Sequence, residues 1–173
     1  MTETIFTIGH STRPIDEFVR MLHAHGVRRI VDVRTIPASR HNPQFNENAL
    51  ATSLASDGIG YQRLEALGGL RHTNAEFASV NGGWRNASFR GYADYMQTGA
   101  FAAGIAELIR LGGREVVAIM CAEAVPWRCH RSLIGDALLV RGIGVLDIMS
   151  ETDARPHAIT RFARVDGLTV TYQ

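Results

Sequence analysis

The stretch CAEAVPWRCHRSL, residues 121–133, holds both cysteines of the chain together with one histidine and two arginines. Thiols and cations gathered this closely support two kinds of chemistry. Cationic neighbours favour the thiolate, lowering a thiol pKa from about 8.5 toward ~3.5–7.5, and a thiolate is a nucleophile for sulfur, acyl or phosphoryl transfer or for redox exchange. Alternatively Cys121, Cys129 and His130, joined by His10 or Glu123, form a donor set that suits zinc or iron. The Cys-x7-Cys-His spacing is not that of a standard zinc finger, and no second Cys-x2-Cys pair accompanies it. Both chemistries stay open at this point.

Roles follow from residue type. Cys121 is the first choice for the reactive group or ligand, and Cys129 for the second thiol, as resolving partner or co-ligand. A disulfide between them, acting as a redox switch, is a further alternative. His130 serves as proton carrier or ligand, and Glu123 completes the catalytic set. Arg34 and Arg131 suit an anionic substrate, because a planar guanidinium grips phosphate or carboxylate with two bonds. His10, Ser11, Arg13, Arg40 and Arg128 complete the expected binding set. Arg34 also has a structural alternative, pairing with Asp32, and Glu123 has one in pairing with an arginine.

The elements that must position these groups alternate along the chain. TIFTIGH has strand composition, and RPIDEFVRMLHAHG places Ile15, Phe18, Val19 and Leu22 at helical spacing with Gly26 as its stop. RIVDVR is a second strand. NENALATSLASDG is a helix opening on an Asn46 cap and closing on Gly58, and IGYQRL is a third strand. From Glu65 to Gly91 the pattern loses its period, which marks a functional loop or hidden elements; LGGLR at 67–71 offers a flexible backbone beside the site. Helical patterns resume at YADYMQ and FAAGIAELIRLGG. EVVAIMC is a buried strand, SLIGDALLVRG a helix, GVLDIM a strand, and the tail is a hairpin turning at Asp166-Gly167.

This alternation predicts a single α/β domain over 1–173, with a mostly parallel central sheet, helices on both faces in a Rossmann-like or rhodanese-like arrangement, and a C-terminal hairpin. In such sheets ligands gather beyond the carboxyl ends of the strands. Those ends carry His10, Ser11 and Arg13, then the segment Arg34 to His41, then Cys121 to Arg131. One pocket at that edge is expected.

Bulk properties set the remaining bounds. A chain of 173 residues, 46% hydrophobic and 20% charged, has the composition of one globular domain with a sizeable core. The formal net charge of +1 supplies no general attraction for nucleic acid. The N-terminus lacks the pattern of a signal peptide, and VVAIMCA is far shorter than the ~20 residues of a membrane span. Two cysteines are few for a secreted disulfide scaffold. A cytoplasmic protein with reduced thiols is expected, without a membrane and with a small anionic molecule as partner. GGWRNASFRGYADY interleaves Arg85 and Arg90 with aromatics, a pattern that can stack bases and hold phosphates in a nucleic-acid-binding or anion-sensing module; an aromatic core with a solvated arginine rim is the favoured alternative, and a nucleic-acid partner is disfavoured.

Two resemblances add to this. An early VDVR strand followed much later by strand, Cys, loop, Arg-Ser and helix resembles the rhodanese pattern, which would put Cys121 at the catalytic position and Arg131-Ser132 at the end of its loop. The nine residues between Cys121 and Arg131, with a proline and a tryptophan among them, depart from the tighter rhodanese loop. TIGHSTRPIDEFV, IVDVRTIPASRHNPQFN, GIGYQRLEALGGLR and CAEAVPWRCHRSLIGDAL together are closely similar to the prokaryotic family known as domain of unknown function 488. That resemblance implies an α/β fold and brings no settled reaction.

Overall fold

Apolar strands joined by amphipathic helices bury the most surface as a parallel sheet covered on both sides. The computed structural model, which describes residues 3–69, 71 and 80–173, has this arrangement in a single α/β domain. Strands β1 (Thr4–Gly9), β2 (Arg29–Asp32), β3 (Gly60–Arg63), β4 (Val117–Cys121) and β5 (Gly144–Ile148) pair in parallel in the order β3-β2-β4-β1-β5. A short antiparallel strand, β6 (Ala154–Pro156), closes the edge beside β5. A separate hairpin pairs β7 (Arg164–Asp166) with β8 (Thr169–Thr171).

Side chains alternate across a strand, so one strand feeds two cores. Along β4, Val117, Ile119 and Cys121 join the core formed with α3 (Ala87–Tyr95), α4 (Gly99–Gly112) and α5 (Arg131–Leu139). Ala118 and Met120 join the other, formed with α1 (Ile15–Ala24) and α2 (Glu47–Ser56). Phe18, Leu22 and Leu54 are fully buried in the second core, as are Ile105, Leu108 and Leu133 in the first. Each such side chain contributes about 1.5–3 kcal/mol by leaving water.

The connections place the site. The chain leaves β1 and β2 through α1 and α2 on one face, whereas it leaves β4, which lies between them, through α5 on the other. Neighbouring strands whose exits diverge open a crevice at their carboxyl ends. Cys121 ends β4 there, in register with Gly9 of β1.

Several local expectations need adjustment. Asn46 stands at the N-cap of α2, but its side chain makes no capping bond; its Oδ1 accepts from the Ser39 amide at 2.7 Å and pins the preceding loop instead. The aperiodic segment 65–91 contains a 3-10 turn at Glu65–Leu67 and the start of α3, whose Asn86 cap accepts from the Ser88 and Phe89 amides. Gly91 inside α3 had blurred its period. Residue 70, in the expected flexible LGGLR backbone, and residues 72–79 lie outside the described residues. Asp166 pairs with Thr169, so the hairpin turns on Gly167 and Leu168. Gly26 and Gly58 end their helices with φ of +72° and +73°. Among the described residues no helix is long and apolar enough to cross a membrane.

Candidate functional site

Arg131, the first residue of α5, is 1% exposed. A buried guanidinium has to place all its donors. Its Nε donates to Cys121 Sγ at 3.0 Å, its Nη1 to Thr7 Oγ1 at 3.0 Å, and its Nη2 to the Glu123 carbonyl at 2.8 Å. Thr7 in turn donates to the Asp147 carboxylate on β5. Gly9 makes the close packing possible: a Cβ there would lie 1.6 Å from the Glu123 carbonyl oxygen and 2.9 Å from Arg131 Nη2.

Cys129 sits against the same centre. The backbone amide of Arg131 donates to Cys129 Sγ at 3.4 Å, so the free N–H at the start of α5 serves this sulfur rather than Cys121. The two thiols share Arg131 as a neighbour and ionise unequally. Burial raises the Cys121 pKa, but the neighbouring Cys129 thiol, the Arg131 charge and the Glu123 backbone outweigh it and bring the thiol down to about 7. Burial and the adjacent Cys121 sulfur push Cys129 well above the ordinary thiol value. The arrangement favours the thiolate on Cys121 beside a protonated Cys129.

His130 completes the group. Its Nε2 donates to the Val33 carbonyl at 2.8 Å, and Nδ1 lies 3.4 Å from Cys129 Sγ. Burial lowers its pKa to about 4; the carbonyls of Val33 and Leu67 pull the other way, and Arg131 adds to the lowering. The ring is neutral at pH 7. Its Nδ1 lies so close to Gly69 that a Cβ there would fall 2.5 Å away.

Both sulfurs and His130 line a cavity of about 560 Å³ at the carboxyl ends of β2 and β4. Arg34, Arg128 and Glu123 share the wall. Arg34 is committed: it grips Asp32 with Nε and Nη2 at 2.8–3.2 Å, and Tyr61 donates to the same carboxylate. Its Nη1 lies 3.4 Å from His10 Nε2. Arg128 and the Glu123 side chain are exposed at the rim.

The other expected binding residues lie elsewhere around this edge. His10 is buried, stacks on Phe45 and hydrogen-bonds the Ser11 carbonyl; burial, with the Arg34 charge behind it, lowers its pKa. Ser11 takes a φ of +49° and its amide donates to the Ala122 carbonyl. Arg13 pairs with Glu17, and Arg40 is exposed. None of these four is in the lining of the cavity. Arg90 donates to the carbonyls of Trp84 and Arg85, while Tyr92 and Tyr95 turn inward onto the backbone at Leu67 and Ala66. Among the described residues no group of three or more His, Cys, Asp or Glu side chains is placed to hold a metal ion.

Sequence reasoning missed Thr7 and Asp147. The signal was present: each is a polar residue interrupting an apolar strand, and each is buried. Asp147 also meets His157, which bridges to Asp136 at 2.9 Å. Burial pulls the His157 pKa down, but the two carboxylates raise it to about 9. Tyr172 donates to the remaining Asp136 oxygen.

Comparison with known proteins is brief. No curated protein and no solved structure matches the chain. The family model described as domain of unknown function DUF488 matches residues 14–138, which is most of the chain's length, and the chain belongs to that family.

Proposed function

We propose that this chain is a cytoplasmic, thiol-dependent enzyme in which the Cys121 thiolate attacks an electrophilic centre of a small anionic substrate bound in the 560 Å³ cavity. One observation carries this: a buried arginine directs Nε at Cys121 Sγ, 3.0 Å away, on the wall of a cavity. The Arg131 guanidinium donates to a sulfur, a hydroxyl and a carbonyl rather than to a carboxylate, so ionising Cys121 gives this buried charge its counter-ion. Arg128 at the rim attracts the anionic end of the substrate, and both cysteines are free, as a reducing compartment keeps them. A metal reading has less support, since Cys121, Cys129 and His130 each already have a protein partner.

Alkylation tests the proposal. The rate with iodoacetamide against pH should rise with a midpoint near 7, and Cys121→Ser should abolish that phase. Iodoacetate, the anionic reagent, should gain on iodoacetamide relative to the same pair acting on a free small thiol. A midpoint at the ordinary thiol value, or a phase that survives in Cys121→Ser, rejects the thiolate assignment.

A further inference from the structure

Resting on the thiolate proposal, we infer that Cys129 is the resolving thiol of a dithiol pair, and that the site's substrate class is a small anionic disulfide reduced by thiol–disulfide exchange. Geometry selects this class. An acyl or phosphoryl group on Cys121 leaves by attack at carbon or phosphorus, for which water suffices and a second buried thiol is not required. A sulfur adduct on Cys121 presents its Cys121 sulfur to the neighbouring thiol, and Cys121 and Cys129 line the same cavity. Arg131 touches both, through Nε to Cys121 and through its amide to Cys129.

The step balances without an outside oxidant. The Cys121 thiolate attacks one sulfur of R–S–S–R; a bond forms between Cys121 and that sulfur, the substrate S–S bond breaks, and R–S⁻ leaves with the electron pair. Cys129 then gives up its proton and attacks Cys121 Sγ. The Cys121–Cys129 bond forms and the second R–S⁻ departs. His130 Nδ1, 3.4 Å from Cys129 Sγ, receives the proton and passes it to the leaving thiolate. The substrate disulfide is reduced to two thiols, the cysteine pair is oxidised, and a dithiol reductant reverses the exchange.

Order is built into the charges. While Cys121 is a thiolate, it keeps Cys129 protonated. Forming the mixed disulfide removes that negative charge and leaves Arg131 acting on Cys129 alone, which favours the second thiolate at the moment it is needed. The guanidinium charge is in effect handed from one sulfur to the other.

The test uses the full chain and 5,5′-dithiobis(2-nitrobenzoate), an anionic aryl disulfide whose released thiolate is coloured. The wild type should release two equivalents, one for each cysteine, and its intact mass should show loss of two hydrogens with no aryl adduct. Cys129→Ser should release one equivalent and retain the adduct on Cys121. A wild type carrying aryl adducts on both sulfurs overturns the resolving role while leaving the thiolate proposal standing. A Cys121→Ser variant whose Cys129 reacts as fast as the wild type overturns the thiolate proposal itself. The wild-type mass alone decides the resolving step, so an unstable variant does not blunt the test.

Discussion

Arg34, two residues past β2, and Arg131, at the start of α5, are both buried arginines, yet they are neutralised in opposite ways. Arg34 forms a two-pronged pair with Asp32, and Tyr61 occupies the same carboxylate. Its charge is paired with a carboxylate, and Asp32 holds it from two residues away on the same chain segment. Arg131 meets two thiols, a hydroxyl and a carbonyl. Its charge is cancelled only when a proton leaves sulfur. The first arrangement fixes structure, and the second stores a reactive anion. His157, held between Asp136 and Asp147, belongs with Arg34.

The largest effect should fall on the carboxylate-paired side. Arg34→Met leaves Asp32 buried without its cation, which costs about 3–5 kcal/mol, read as a lower urea midpoint. The pH midpoint of Cys121 alkylation should stay near 7 in the folded variant. If the midpoint rises as it should for Arg131 substitutions, the two arginines act as one unit and the contrast fails.

His157 gives the next effect, through pH. Its folded pKa of about 9 lies above its unfolded value of 6.5, so the folded state binds this proton more tightly. The stability it adds is complete below pH 6.5 and is lost as pH rises to about 9, on the order of 1–3 kcal/mol. Denaturant titrations at pH 6 and 9.5 should show this fall, and His157→Gln should remove most of it. An equal fall in the variant would assign the alkaline loss to other groups.

Arg131→Met should act on reactivity. Returning Cys121 from a pKa of about 7 to the ordinary 9 cuts its thiolate fraction at pH 7 by about 50-fold. A more basic thiolate is a better nucleophile, and this recovers about 6–10-fold. Alkylation at pH 7 should therefore slow by about 5–10-fold, whereas above about pH 8.5 the variant should overtake the wild type. Arg131→Lys, which keeps the charge, should fall between them. Slowing without a crossover would point to a distorted site rather than a lost cation.

The sequence carried the fold further than it carried the site. Strands such as EVVAIMC and helices such as RPIDEFVRMLHAHG declare themselves because burial imposes a period, and the parallel sheet with helices on both faces follows from their alternation. α3 was cut short because Gly91 interrupts its pattern, and β6 is too brief at three residues to show one. At the site, Cys121, Cys129, His130 and Arg131 were legible as a cluster since they adjoin in sequence. Their division of labour was not. Which sulfur Arg131 Nε reaches, and that Thr7 and Asp147 brace it from β1 and β5, depends on strand order, and local sequence does not encode it. Arg13 and Arg40 had the same residue type and the same strand-end position as Arg34, and only the packing separates them.

The smallest effect tests what remains for the substrate once the buried cations are accounted for. Arg34 is spent on Asp32 and Arg131 on the thiols, which leaves Arg128, among the described residues, as the exposed arginine of the cavity wall. At a solvated rim a single charge is worth about 0.5–1 kcal/mol to an anion and is screened over ~8 Å at physiological salt. Arg128→Ala should thus lower the iodoacetate-to-iodoacetamide rate ratio by about 2–5-fold at low ionic strength and by little in 1 M salt. The iodoacetamide rate and the midpoint near 7 should not move, because Arg128 touches neither sulfur. If the ratio is unchanged at low salt, anion selection lies with the buried Arg131, and the separation between a cation that makes the thiolate and one that draws the substrate has to be given up.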